Sequence, residues 1–227
     1  MVNTEIPTVE EAKPLMESYR EEMLSYLRED PLTDTNTRWK KQYTKKNVLV
    51  TKWLPEGSKF DFFRGDAVVD LTMDEIWEYA VDDSKRYDWD RTNTKDIHTV
   101  EEFKPEGEPY GLDVIYLRFR SPTAFISPRD SLMLRTLGKS DDDSERWAVL
   151  TSVKVDSHPP VKGVVRGVVM KSALMFKKMA DGKVRITYIF MSDPVGSVPY
   201  ALAKMKLGEQ AECVGAIRDA AVKQFKK

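Results

Sequence analysis

Hydrophobic and polar positions recur along this chain with two different periods, and the switches between them mark its elements. Ala12, Leu15/Met16, Tyr19, Met23 and Leu27 recur at helical spacing and predict a first helix from about Val9 to Glu29. Thr8 and Glu11 have capping-box spacing at its start, and Pro14 falls in its second turn. Pro31 and the polar run from Thr33 to Thr37 end it. Short β-type runs follow at Trp39–Tyr43, Val48–Trp53 and Phe60–Val69, with a turn at Pro55-Glu56-Gly57. Thr72-Met73-Asp74-Glu75 opens a second helix with another capping box, and Ser84 to Arg91 reads as a short helical or turning segment.

Alternating patterns then predict strands at Ile97–Phe103, Leu112–Arg120, Ser131–Leu137, Trp147–Val153, Val164–Lys171, Leu174–Met179 and Lys183–Met191. Asp181-Gly182 reads as a two-residue hairpin turn, because both positions tolerate positive φ. Asp141-Asp142-Asp143-Ser144 lacks the alternation of a calcium loop and reads as a solvated turn. A last helix is expected from about Pro199 to Gln224, with Ala203, Leu207, Val214, Ile217, Ala221 and Phe225 on one face. Gly208 and Gly215 inside it each cost about 1 kcal/mol relative to alanine. Such glycines are tolerated where a helix bends or its backbone meets another closely. Helix, strands, short helices, a meander and a long helix place the chain in the α+β class. A curved antiparallel sheet wrapped around the long C-terminal helix fits this order, with an N-terminal helix and space for an internal hydrophobic cavity. We divide the chain into an N-terminal helical extension, 1–36, packing on a domain spanning 37–227.

Composition narrows the classes. The 227 residues are 41% hydrophobic and 32% charged, which excludes a disordered or collagen-like chain. The formal net charge is −1, so no overall field draws nucleic acid. Charge is uneven: residues 1–36 carry nine acids and three bases, and six bases and three acids follow from Pro199 onward. No apolar run approaches the roughly 20 residues of a membrane span. The opening residues lack the pattern of a signal peptide, and neither Val2 nor Lys226-Lys227 fits a lipid-anchor signal. These features point to a cytoplasmic protein. Cys213, the single cysteine, reads as buried filler. His98 and His158 have no evident nucleophile partner, and neither a Gly-x-Ser-x-Gly elbow, a phosphate loop nor a metal-ligand spacing occurs.

Four motifs stand in a telling order. Arg86 precedes Trp89-Asp90. Ser127-Pro128-Arg129-Asp130 opens a strand ending Leu134-Arg135. Val165-Arg166-Gly167 begins another, and Asp193-Pro194-Val195-Gly196-Ser197-Val198-Pro199 leads into the last helix. From Trp39 to Phe225 the chain resembles the START family, the steroidogenic-acute-regulatory-related lipid-transfer domains, and most of all its phosphatidylcholine-transfer group. The resemblance implies a helix-grip fold, an internal cavity for one lipid, and a lid made of a loop between two central strands plus the last helix. It implies that Arg86 contacts lipid phosphate and that Asp90 steadies it. A guanidinium offers phosphate a planar fork of donors, and i, i+4 spacing sets a carboxylate beside it; an ordinary ion pair has the same spacing.

The resemblance also assigns Arg135 to the head-group set, and Trp89, Tyr116, Leu117, Met133, Met170, Ser172 and Phe190 to the cavity wall. The family's choline-cage positions are Leu117, Ser131, Met133 and Met170 here, with Tyr116 and Phe190 the nearest aromatics. The steroid carriers pair the arginine matched by Arg135 with an acid one strand earlier, where Tyr116 and Leu117 stand here. Met133, Met170, Met175, Met191 and Met205 are expected to line a wall that fits varied acyl chains, with gap-filling in an ordinary core as the plainer reading. Phe125 and Ile126, bulky residues in the loop Ser121 to Pro128, join Leu202, Met205 and Leu207 as lid and membrane-contact residues. The function expected is a monomeric carrier of one lipid, a phospholipid, between membranes. It would touch membranes transiently and need no cofactor beyond its cargo. The alternatives are an enzyme on a small hydrophobic substrate and a lipid sensor signalling through its acidic first helix.

Overall fold

One sheet carries the fold. Its strands are β1 (Lys40–Lys45), β2 (Val48–Trp53), β3 (Phe62–Val69), β4 (Thr94–Phe103), β5 (Leu112–Phe119), β6 (Arg129–Lys139), β7 (Glu145–Ser152), β8 (Val165–Arg166), β9 (Val168–Lys178) and β10 (Val184–Asp193). Across the sheet they run β1-β2-β3-β10-β9-β7-β6-β5-β4, and β8 lies beside β6. All neighbours are antiparallel except the β6–β8 pair. The computed structural model describes residues 5–34, 36–103, 111–121, 123, 126–193, 195–196 and 200–226, with backbone alone for 200–205.

Alternation along the strands gives the sheet two apolar faces, and each is covered. The outer face receives the N-terminal helices α1 (Val9–Ala12) and α2 (Met16–Arg28). Ala12, Met16, Met23, Leu24 and Leu27 pack there against Phe62, Leu132, Leu134, Val149 and Ile189. Pro14 turns the single expected helix into two, joined by a 3₁₀ turn at Lys13–Leu15, because proline supplies no amide for the α-helical bond. Both predicted capping boxes form, Thr8 with Glu11 and Thr72 with Glu75.

Arg64, fully buried on β3, fastens α2 to this face. It donates to Asp66 at 2.6 and 2.8 Å and to the carbonyl oxygen of Tyr26 at 3.0 Å. That carbonyl lies in the last turn of α2, where helix oxygens lack intrahelical donors and a cation is favoured.

The inner face receives α3 (Met73–Val81), α4 (Arg86–Trp89), α5 (Tyr200–Ala211) and α6 (Cys213–Phe225). Phe63, Ala67, Phe176, Ile186 and Phe190 meet Ile76, Trp77, Ala211, Val214, Ile217 and Ala221. The last helix is therefore not continuous. It breaks at Glu212, whose carboxylate is held by Tyr43 at 2.9 Å and Lys45 at 2.8 Å. At the break the Ala211 carbonyl presses so closely on Gly65 that a Cβ there would lie 1.9 Å from its oxygen. Gly215 is equally constrained, since a Cβ there would sit 2.5 Å from Val48 Cγ2. Of the two helix glycines Gly215 thus serves a close approach, while a Cβ on Gly208 would meet nothing nearer than 3.6 Å.

Two strand expectations change. Val164–Lys171 and Leu174–Met179 are not separate strands: β8 is a two-residue bridge, and β9 runs unbroken through Lys171-Ser172. This polar pair resembles a turn, but Ser172 is buried and pairs with both Phe190 and Leu150. The hairpin at Asp181-Gly182 uses a three-residue loop, Ala180 to Gly182, closed by Met179 N donating to Lys183 O at 2.8 Å. Only Gly182 takes positive φ there (82°), as in a type I turn followed by a left-handed residue.

Two outcomes follow from this packing. Gly65→Ala has nowhere to place its methyl, because its neighbour is backbone. It should lower stability by about 3 kcal/mol, the upper end for overpacking, read from urea midpoints at unchanged slope. Glu145 is buried between Lys177 (2.8 Å) and Arg28 (2.9 Å). Burial raises its pKa, but these two partners outweigh it and the net shift is downward from 4.5. Its contribution is therefore present above that value and lost as pH falls through the lowered one. Glu145→Gln should cost about 1–2 kcal/mol at pH 7, less than a fully buried pair because both cations are half-exposed. The gap between variant and parent should close in acid, as thermal melts across pH will show.

Candidate functional site

The centre of the inner face is polar, and α4 builds it. Asp82 caps a 3₁₀ turn at Asp83–Lys85, and α4 continues directly from it. One turn of helix brings Arg86 onto Asp90, with Nη2 and Nε 3.0 and 3.2 Å from Oδ2. Asp90 is buried and filled: Asn93 Nδ2 and Thr94 Oγ1 each donate to it at 2.8 Å. The guanidinium carbon of Arg86 lies 4.2 Å over the ring of Trp89. Its Nη1 makes no hydrogen bond among the described residues, and Trp89 Nε1 is buried with no partner among them. A carboxylate with both oxygens engaged holds an arginine that still has donors to offer.

Around this pair the fold gathers groups that the sequence motifs did not reveal. Tyr188 on β10 stacks on Phe190 at 5.1 Å, and Phe190 on Phe63 at 6.0 Å. Ser172 Oγ and Gln210 Nε2 both donate weakly to the Tyr188 hydroxyl, at 3.4 Å. Cys213 opens α6, which packs against α4. Burial pushes the Cys213 thiol up to about 12, with Arg86 pulling it down and Asp90 pushing it up. Burial likewise raises Tyr188 to about 12. Tyr188 was accessible to sequence reasoning through its i, i+2 spacing from Phe190. Gln210 and Cys213 had no such signal.

Arg135 has a different environment from the one expected. Asp113 stands directly across from it on β5 and accepts at 2.6 and 3.0 Å, while Asp83 accepts at 2.9 and 3.2 Å. An acid does face this arginine, four residues before Leu117, because the β5–β6 register pairs 113 with 135. Burial lowers the pKa of Arg135, but the two carboxylates outweigh it and the net shift is upward. Through Asp83 the pair ties β6 to the turn that launches α4.

The other expected wall residues divide between the faces. Leu117 and Met133 lie on the inner face with Ile115, in an apolar cluster separate from the one under α6. Trp89, Ser172 and Phe190 also face inward. Tyr116 and Met170 lie on the outer face. Tyr116 donates to Asp130 at 3.1 Å, and its ring is 5.0 Å from His98 and 6.4 Å from His158. Met170 is turned outward by a β-bulge where β9 meets Met191 and Ser192. Met175 and Met191 pack outward as well, so of the methionines expected on the wall only Met133 faces inward; the side chain of Met205 lies outside the described residues.

Of the residues expected to form a lid, Ile126 is half-buried and donates its amide to Thr123 O at 3.3 Å. Leu207 packs at the rim of the inner cluster. Phe125 and the side chains of Leu202 and Met205 lie outside the described residues. Arg129-Asp130 braces the loop base: Asp130 is buried against Arg166 at 2.7 Å, and Arg129 donates to Ser127 O and Val195 O. Among the described residues no helix is long and apolar enough to cross a membrane.

Comparison with known proteins places this architecture. The chain is similar to human StAR-related lipid transfer protein 5, with a TM-score of 0.82 and 24% identity over 96% of this chain and 99% of that one. It is similar to human STARD10, with a TM-score of 0.76 and 20% identity over 91% of this chain and 79% of that one. The lipid transfer and protein localization domain of human StarD13 follows, with a TM-score of 0.68 and 20% identity over 91% and 95%. At these identities the likeness speaks for the helix-grip fold. No curated protein sequence matches the chain. The START-domain family model matches residues 22–227, beginning inside α2 and running to the end of the sheet and its closing helices. The chain therefore belongs to the START-domain family.

Proposed function

We propose that this protein binds one lipid, a phospholipid, between the inner face of its sheet and the helices α5 and α6, and transfers it between membranes. A two-chain lipid exposes roughly 30 methylenes, which at about 0.8 kcal/mol each cost on the order of 25 kcal/mol in water. Only an enclosed apolar interior offsets such a cost. One observation above all supports that interior: Tyr188 and Cys213 both pack against the inner cluster, yet both keep accessible surface. Side chains in a filled core lose that surface, and side chains around a hollow retain it. The separation of the Leu117–Met133 cluster from the cluster under α6 supports the same reading.

Arg86 is the phosphate contact in this reading, held by Asp90 with Nη1 to spare. Arg135, saturated by Asp83 and Asp113, positions α4. The protein works as a cytoplasmic monomer, and Ile126, Phe125, Leu202, Met205 and Leu207 meet the membrane as the lid opens. The bases after Pro199 favour anionic surfaces weakly.

A carrier is favoured over an enzyme by two placements. His98 lies beside Tyr116 on the outer face, remote from the inner wall. Cys213 is held as a neutral thiol, which is a poor nucleophile. Iodoacetamide should therefore leave Cys213 unmodified at pH 8 in the folded protein and alkylate it rapidly in urea. Mass spectrometry of the protein purified from cells should find one phospholipid bound per chain. Arg86→Ala should weaken its retention about tenfold to a hundredfold, the loss of one charge-assisted contact. His98→Ala should leave transfer between vesicles unchanged. A lipid-free protein that turns over a small hydrophobic substrate, with activity lost in His98→Ala, would overturn the carrier reading.

A further inference from the structure

Native proteins leave few buried hydrogen-bond donors without an acceptor, because each forfeits its bonds to water. Three donors lacking a partner among the described residues gather around the start of α6. Trp89 Nε1 is buried and has none. Arg86, whose guanidinium carbon lies 4.2 Å over the Trp89 ring, engages Asp90 through Nε and Nη2 and leaves Nη1 unbonded among the same residues. Tyr188 is the third. Its hydroxyl accepts from Ser172 Oγ and Gln210 Nε2, both at 3.4 Å, which fills its two lone pairs and leaves its own proton to donate. Tyr188 keeps accessible surface on the inner side. The Arg86 charge reaches both the Tyr188 hydroxyl and the Cys213 thiol, so the donors share one region.

The acceptors and aromatic faces around them are already in use. Asp90 is engaged by Arg86, Asn93 and Thr94, and Asp83 and Asp113 are both paired with Arg135. Arg86 covers a face of Trp89, while Tyr188, Phe190 and Phe63 form one stack with centroids 5.1 and 6.0 Å apart. An ammonium needs a carboxylate or several aromatic faces turned towards it. These carboxylates are paired, and stacked rings turn their faces to one another.

We infer that Trp89 and Tyr188 bind the lipid head together with Arg86, and that these three donors select an anionic phospholipid, one whose head carries phosphate and no ammonium, such as phosphatidylglycerol. The inference rests on the carrier reading above and adds the class of lipid carried. A phosphate diester is ringed by acceptor oxygens and has no donor of its own, which matches three donors with nothing to accept from them. Trp89 acts twice: its face carries the Arg86 guanidinium, and its edge adds a neutral N–H. A zwitterionic head would instead bring an ammonium to a place where the nearby carboxylates are taken.

The test uses the full chain, freed of lipid, and donor vesicles carrying fluorescent phosphatidylglycerol or fluorescent phosphatidylcholine. Phosphatidylglycerol should be bound and transferred about tenfold better. Trp89→Phe keeps a ring under Arg86 and deletes the N–H. Without lipid it should melt no lower than the parent, because the donor it loses had no partner, and once loaded it should release phosphatidylglycerol about fivefold faster. Tyr188→Phe should also release it several-fold faster, which keeps the test decisive if the first variant folds poorly. The indole N–H resonance of Trp89, assigned by its loss in Trp89→Phe, should shift on loading with phosphatidylglycerol, which a purely structural tryptophan would not show. Equal transfer of the two lipids, or unchanged release in both variants, would overturn this inference and leave the carrier reading standing. Transfer of neither phospholipid would overturn both.

Discussion

A single hydrogen atom at position 65 determines where the closing helices sit. Gly65 lets the carbonyl of Ala211 come down onto β3, nearer than any side chain would permit. The contact seats the break between α5 and α6 on β3 and β10, while Tyr43 and Lys45 hold Glu212 from the edge of the sheet. The helices therefore lie against one half of the inner face. Leu117, Met133 and Ile115, on the β5–β6 half, form their own cluster instead of joining the packing under α6.

The inner side also carries two ion pairs, one on α4 and one on β6, whose charged groups are costly to bury unpaired. Each ion pair has its geometry completed by the surrounding fold: Asp90 by Asn93 and Thr94, Arg135 by Asp113 and Asp83. The second pair also joins β6 to the turn before α4, so the position of Arg86 depends on a contact made one strand and one turn away. Buried pairs of this kind contribute little net stability compared with apolar packing, but losing one partner is costly. They hold α4, a single turn of helix, in one place.

The outer face is the conventional half of the molecule. It is filled by methionines and aromatics from α1, α2 and the sheet, and locked by the buried Arg64 guanidinium against Tyr26 and Asp66. Met170, Met175 and Met191 belong to this packing, which shows them to be fillers of an ordinary core. The adaptability of methionine is used here to fit a helix interrupted at Pro14 onto a bulged strand.

Much of this was legible along the chain. Capping boxes, the hairpin glycine and the alternation of the meander are local signals, because each reports a backbone conformation set within a few residues. Arg86, Trp89 and Asp90 were legible for the same reason: a one-turn helix brings them together without help from the rest of the fold. The side of the sheet taken by each alternating set was not legible. Period-two patterning says that a strand has two faces, and only the distant helices decide which is inner. Tyr116 shows this directly, since it neighbours Leu117 in sequence and faces the opposite way. Met170 shows the other limit, where a bulge reverses the alternation within one strand. The acid opposite Arg135 likewise depended on the β5–β6 register, and the assembly of Tyr188, Gln210 and Cys213 around Arg86 on the docking of α6. Local sequence determined the elements and the Arg86–Asp90 pair; long-range register and the Gly65 contact decided which side chains surround it.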